Sequence, residues 1–336
     1  MVPEFSDNTK GNAMSETVRW GILGAAKFAR EHMGPALHLA RRGTLAALAT
    51  SNTDKAAPFT SMVPGLRVHN CYDALLADPE IDAVYVPLPN HLHVDYALKA
   101  LEAGKHVLVE KPLAMAAEGF EPVIAARDAS GRLAAEAYMI VHHPQWKTAK
   151  ALYQAGEIGR LVRVSGAFSY DNSQDTGNIR NTPNTGGGAV PDIGVYIYGA
   201  TRFVTGEEPE EILSNEIRRE NNVDVYSHIT ARFPSFHYTG VVSMRAAPWQ
   251  DMTFHGEKGV MRLTAPFNPQ VYGEARIELH LGQERRELRF PQVNHYVEQV
   301  EAFNRSVLDG DAYPCPLEFS QGTQRMIDRI WAAEGR

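Results

Sequence analysis

The sequence predicts an α/β part followed by an α+β part: a doubly wound parallel sheet, then a domain built on a mostly antiparallel sheet. Three observations carry this. The 336 residues exceed the usual size of one domain. From Val18 to about Ala137, short apolar runs alternate with amphipathic stretches, the pattern of strand-helix units. After Ala137, strand-like segments follow one another without helices between them.

In the first part the expected strands are Val18 to Leu23, Thr44 to Thr50, Ala83 to Pro87, His106 to Glu110 and Leu133 to Ala137. Leu45, Leu48, Val84, Val86, Val107 and Val109 stand in nearly unbroken apolar context, as strands buried on both faces require. In the second part a helix near Trp146 to Ala155 and a strand near Leu161 to Tyr170 precede a Gly/Asn/Pro-rich loop, Asn172 to Gly188. A helix from Asp192 to Val204 then leads into strands at Glu211 to Arg218, Ser227 to Phe233, His237 to Met244, Asp251 to His255 and Arg276 to Leu281. Helices at about His295 to Leu308 and Ser320 to Ala333 close the chain. The expected division is a flexible leader over 1–15, a dinucleotide-binding domain over 16–137, and a substrate-binding and oligomerisation domain over 138–336.

Hydrophobic residues at 44% and charged residues at 22% are ordinary globular values. With 33 basic and 40 acidic residues the net charge is −7, and no Lys/Arg cluster tracks a phosphate backbone, which argues against nucleic acid. No apolar run reaches the length of a membrane span, and the two cysteines, Cys71 and Cys315, fall in different parts of the chain. A reducing, cytoplasmic setting is the simpler expectation.

Directly after the first strand comes Gly24-Ala25-Ala26-Lys27-Phe28-Ala29, in the place of the fingerprint G-x-G-x-x-G/A and opening a helix. Gly24 supplies the tight turn and Ala29 the close helix packing, while Ala26 departs where a second glycine lets the backbone approach a pyrophosphate. The helix start still offers its N–H groups to phosphate. An ordinary strand-helix turn is the competing reading. The second strand ends at Thr50-Ser51-Asn52 without the acid that holds the ribose hydroxyls in NAD sites. Ser51 and Lys55 suit a 2′-phosphate instead, so NADP(H) is preferred; Asp54 keeps NAD(H) possible.

Val107-Leu108-Val109-Glu110-Lys111-Pro112 places a lysine at the carboxyl edge of an apolar strand, where open parallel sheets bind ligands. Pro112 biases Lys111 to an extended backbone and so aims its side chain. Pro87, Asn90 and His93 belong to a second strand end on the same rim, with His93 equally readable as a hydrogen-bonding residue of a helix start. Gly186-Gly187-Gly188 precede a helix in which Asp192 and Tyr196 stand one turn apart on one face. Glycines so dense suit a backbone that approaches a ligand; the alternative makes Asp192 a helix cap and Tyr196 a core residue. Tyr138, His142, His143, Trp146, Phe168, Tyr170 and Asp171 flank strand ends or the glycine loop, as pocket aromatics or as core. The histidine pairs lack the spacing of a metal site, and no metal is expected.

Glu110-Lys111-Pro112, with the glycine run followed by Asp192 and Tyr196, resembles the Gfo/Idh/MocA oxidoreductase family, over nearly everything from Arg19 to about Trp331. Tyr196, preceded by Asn178-Ile179-Arg180 and the glycines, looks like the branch of D-xylose dehydrogenases, dimeric dihydrodiol dehydrogenases and glucose-fructose oxidoreductase; inositol dehydrogenase relatives carry His there. The resemblance implies a Rossmann domain, an open second sheet that often mediates dimers or larger homo-oligomers, and hydride transfer without metal to or from a sugar, anhydrosugar or diol.

On that reading Lys111, Tyr196 and Asp192 are catalytic. Gly24, Ala26, Lys27, Phe28, Ser51, Asn52, Lys55, Pro87, Asn90, His93, Glu110 and Lys111 hold the cofactor. Lys111, Tyr138, Arg180, Asp192 and Tyr196 face the substrate. A free phenol ionises near pH ~10, and a neighbouring cation lowers that, so Lys111 is expected to make the Tyr196 phenolate accessible as a general base. Lys111 is the other candidate for proton transfer. Competing functional classes are an NADP(H)-binding regulatory protein and an NAD-assisted glycosidase.

Overall fold

The computed structural model describes residues 16–269 and 271–335; the leader expected over 1–15 lies outside them. The first sheet contains β1 (Val18–Leu23), β2 (Gly43–Ala49), β3 (Arg67–His69), β4 (Ala83–Val86), β5 (His106–Val109) and β6 (Ala134–Glu136). Its order is β3-β2-β1-β4-β5-β6, parallel throughout. Val84, Tyr85, Val86, Val107, Leu108 and Val109 are wholly buried, so helices cover both faces, as the apolar runs require. The strand order reverses between β1 and β4, and a crevice therefore opens at their carboxyl ends. Edge strand β3 is three residues long and carries no apolar run, which is why the sequence pattern does not show it.

The second sheet contains β7 (Leu161–Asp171), β8 (Glu211–Glu220), β9 (Val223–Arg232), β10 (His237–Ser243), β11 (Arg245–Gly256), β12 (Val260–Thr264), β13 (Arg276–Leu281) and β14 (Glu284–Arg289). Its order is β14-β13-β12-β11-β7-β10-β9-β8, with β7 and β10 parallel and the remaining pairs antiparallel. Alternate residues such as Val164, Phe168, Met252, Phe254, Leu263 and Ile277 point inward and are buried, each contributing about 1.5–3 kcal/mol by leaving water. The helix Val195–Thr205 lies on this face. Gly166 permits its approach, since a Cβ there would stand 3.1 Å from Ile197 Cβ.

The last two helices return to the first sheet. Helix His295–Asp309 begins at Asn294, whose side chain accepts from the Tyr296 and Val297 N–H groups, and packs against β1 and β2. Within it Asn304 accepts from Trp20 Nε1 at 2.9 Å and donates to the Arg41 carbonyl at 3.0 Å, while Phe303 meets the Trp20 ring at 4.8 Å. Helix Leu317–Ala332 offers Asp328 to the Ala117 N–H at 2.8 Å. This last helix packs against β6, against β8 and against the helix Val195–Thr205, and so ties the first sheet to the second domain.

Candidate active site

The site grows from three chain segments. At the end of β1, Gly24 adopts φ +102° and its N–H bonds the Ala49 carbonyl at the end of β2. A Cβ on Gly24 would lie 3.1 Å from Leu88 Cδ2 and 3.3 Å from the Tyr72 hydroxyl, so the turn needs glycine. Gly24 and Ala26 line one cavity with Ser51, Asn52, Lys55, Tyr72 and Tyr96; Asp54 does not line it. Asn52 also caps the helix Thr53–Met62 by accepting from the Lys55 N–H. Ala26, Lys27 and Phe28 line a second cavity of about 620 Å³ with Glu110, Lys111, Asp192 and Tyr196. Ala26, Pro87, Leu88 and Ile179 border both, so one crevice runs along the strand ends from Lys55 to Lys111. Its glycine turn, helix start and paired cavities fit a nicotinamide dinucleotide.

Lys111 leaves the end of β5 with its side chain 10% exposed. Its ammonium donates to the Asp192 carbonyl at 2.7 Å and to Asp192 Oδ1 at 3.0 Å, and sits 4.9 Å from the centre of the Tyr196 ring. The neighbouring Glu110 is half-buried at the cavity wall and accepts from the Tyr85 hydroxyl at 2.5 Å; desolvation raises its carboxyl above the usual carboxylate range. Asp192 also pairs with Arg180 Nε at 2.9 Å and accepts from the Tyr170 hydroxyl at 2.6 Å. Burial alone would raise the Asp192 carboxyl, but Arg180, Lys111 and the Tyr170 hydroxyl together hold it well below the usual range. Asp192 therefore stays charged and gathers two cations and a phenol.

Asp192 and Tyr196 share a face because Val190–Gly194 is a wide π-type turn running into the helix Val195–Thr205. Such turns are often found at functional sites. The glycines before it serve packing: a Cβ would meet Met115 Sδ at 2.6 Å from Gly186, the Arg180 carbonyl at 2.4 Å from Gly187, and Asp224 Oδ1 at 2.2 Å from Gly188. Gly186 and Gly187 nonetheless line the cavity, as a backbone that approaches a ligand would; for Gly188, which does not, the expectation is corrected, because Asp224 fills its approach. Asn90 Nδ2 donates to the Gly186 carbonyl at 2.9 Å and ties the loop to the first sheet's rim.

Three further expectations are corrected. His93 lines neither cavity: the turn Asn90–Leu92 rotates it inward, fully buried, with Nδ1 2.8 Å from the Pro112 carbonyl and Nε2 2.7 Å from that of Leu88. It braces the two rim segments against each other. Tyr138 is buried behind the cleft, its ring stacked on Tyr196 at 5.8 Å and its hydroxyl 2.9 Å from the Tyr196 carbonyl that accepts from it. Tyr196 is not tuned toward phenolate, because burial pushes its hydroxyl well above the ordinary value and Lys111 faces its ring. Among the aromatic candidates, Phe168 and Tyr170 line the cavity, whereas His142, His143 and Trp146 are core. Asn268 and Tyr272, also in the lining, come from the loop after β12, where no motif marks them. A tyrosine beside turn residues was the one signal available there.

The family description "Oxidoreductase family, NAD-binding Rossmann fold" matches residues 18–138, and "GFO/IDH/MocA C-terminal domain" matches residues 146–262. A dTDP-3,4-didehydro-2,6-dideoxy-alpha-D-glucose 3-reductase of Streptomyces antibioticus is 34% identical over 88% of this chain and 90% of its own length. A D-xylose 1-dehydrogenase (NADP(+)) of Haloferax volcanii is 31% identical over 93% of this chain and 96% of its own. Among solved structures, the 3-ketoreductase KijD10 of Actinomadura kijaniata, in complex with NADP and TDP-benzene, superposes with a TM-score of 0.87 at 28% identity, covering 95% of this chain and 98% of that one. The matched domains, the near full-length relatives and the crevice with Lys111, Asp192 and Tyr196 at its inner end lead to one conclusion: the chain belongs to the Gfo/Idh/MocA family of NAD-binding, Rossmann-fold oxidoreductases.

Proposed function

We propose that the protein is an NADP(H)-preferring oxidoreductase that interconverts a hydroxyl and a carbonyl on a sugar, anhydrosugar or related diol. The observation that carries this is the Lys111–Asp192 pair against the Tyr196 ring, at the end of a crevice that fits the dinucleotide. Ser51 and Lys55 in the far cavity support the preference for a 2′-phosphate, the end of β2 bringing no acid there; Asp73, from the segment after β3, is the acid in that lining. Similarity to a reductase of a dTDP-linked keto sugar and to an NADP(+)-linked xylose dehydrogenase supports the carbohydrate class.

When bound, the nicotinamide supplies or takes the hydride. Reduction of a carbonyl also needs a proton at its oxygen as negative charge develops there. Tyr196, held as a neutral phenol, is in the form that donates. The Lys111 ammonium, fixed by the Asp192 carbonyl and carboxylate, stabilises that charge electrostatically. Arg180 and Tyr170 keep Asp192 ionised and oriented. Phe168 and Tyr272 offer apolar surface to a sugar ring, and Asn268 offers hydrogen bonds.

The same reading includes assembly of identical copies through the outer face of the second sheet, where Trp249 is 54% exposed, and a cytoplasmic setting in keeping with two unpaired cysteines. Among the described residues no helix is long and apolar enough to cross a membrane. The test is a panel of D-xylose, 1,5-anhydro-D-fructose, levoglucosan and simple diols with each nicotinamide cofactor, followed by absorbance. Steady cofactor turnover, faster with the 2′-phosphorylated form, is expected. Cofactor binding without turnover across the panel contradicts the assignment.

A further inference from the structure

Beneath the helix that carries Asp192 and Tyr196 stands a carboxylate that does not line the cleft. Asp224, on β9, is 3% exposed, and its Oδ2 accepts from the Val190 N–H at 2.7 Å. Val190 opens the helical run that continues to Thr205, so this N–H is one of the donors a helix start leaves without a partner. A carboxylate there also faces the positive end of the aligned peptide dipoles. The chain makes room for it: Gly188 has φ +142°, and a Cβ at that position would stand 2.2 Å from Asp224 Oδ1. Two residues beyond Val190, Asp192 donates its own N–H to the Gly188 carbonyl at 3.1 Å and accepts from Lys111 through both its carbonyl and its carboxylate.

We propose that Asp224 is a positioning residue of the active site: its carboxylate anchors the first turn of this helix and so sets where Asp192 holds the Lys111 ammonium against Tyr196. The proposal rests on reading Lys111, Asp192 and Tyr196 as the chemical centre. Three charged or titratable groups face Asp224 from the elements around it. Arg219 comes from β8 and is paired at 2.8 Å with Glu334 beyond the last helix; Tyr198 comes from the anchored helix itself. Burial outweighs the Val190 N–H and Arg219 and raises the Asp224 carboxyl to about 6. As pH falls through that value the anchor loses its charge, and turnover should fall with it.

The test compares Asp224→Ala, Asp224→Asn and Lys111→Ala with the parent, using full-length protein, NADPH and the fastest carbonyl substrate of the panel. Asp224→Ala should lower kcat at least ~10-fold, because a small misplacement of an aimed group is costly, with KM for NADPH within about twofold of the parent. Asp224→Asn keeps the accepting oxygen without the charge, so well above pH 6 its kcat should stay below the parent's, near the level the parent falls to at low pH, and it should lack the parent's acid limb near pH 6. Parental kcat with an unchanged acid limb in Asp224→Ala, or an unchanged limb in Asp224→Asn, overturns the proposal. Should Asp224→Ala fail to fold, the limb in Asp224→Asn alone decides. Parental turnover in Lys111→Ala instead overturns the reading of the centre; an inactive Lys111→Ala beside parental Asp224 variants overturns only the positioning role.

Discussion

A phenol packed among Tyr138, Phe168 and Phe267, with ring centres 5.6 to 5.8 Å away, gives up its proton reluctantly, so Tyr196 holds the donor form at neutral pH. Asp192 holds the opposite state, charged at neutral pH because two cations and a hydroxyl surround it. Removing only the donor should therefore spare binding: Tyr196→Phe is expected to lose at least ~100-fold in turnover while its affinity for NADPH, followed by fluorescence, stays near the parent's. Parental turnover would remove Tyr196 from the chemistry. At this scale, what the sequence reveals depends on whether a residue has a second explanation. Lys111 has none, since a lysine ending an apolar strand does not pack, and Asp192 and Tyr196 are marked by one-turn spacing. His93 and Tyr138 sit among rim residues in sequence yet point into the core, because their orientation is set by the turns after β4 and β6 rather than by order along the chain. Tyr272 and Asn268 reach the cavity only through the fold of the second sheet.

At the scale of elements, the five strands of the first sheet that are buried on both faces announce themselves as apolar runs. The second sheet's β12, whose inward Met261 and Leu263 alternate with Arg262, and its edge strand β14, in which Glu and Arg recur, do not. The helix His295–Asp309 is legible from its period, but its docking on the first sheet is not, because Asn304 and Trp20 are far apart in sequence and joined only by the fold. That joint makes a prediction. Asn304→Ala leaves the buried Trp20 N–H and the Arg41 carbonyl without their partner, which costs about 1–3 kcal/mol. Thermal unfolding should begin several degrees earlier; an unchanged midpoint would show that the helix does not depend on this joint.

For the molecule as a whole, the same helix covers a seam of buried histidines. Burial pushes His142 down to about 3 and His143 to about 4, and His295 beside them well below its ordinary value. Neither ring nitrogen of His142 has a partner among the described residues. A histidine kept neutral when folded and free to take a proton when unfolded supports the fold above pH ~6.5, and that support is lost as pH falls toward the folded value, by up to about 1.4 kcal/mol per pH unit for each. Asp224, Glu110 and Glu136, raised by burial, offset part of this. In denaturant titrations, His142→Leu should therefore lose less stability than the parent between pH ~6.5 and ~4; equal slopes would contradict a neutral, buried His142. The chemistry joins the two halves of the chain, an ammonium from the first held by a carboxylate of the second beside a phenol. Rapid mixing of NADPH-loaded Lys111→Ala with the fastest carbonyl substrate tests it most directly. NADPH should bind nearly as in the parent while hydride transfer slows by at least ~100-fold; transfer at the parental rate would contradict the account.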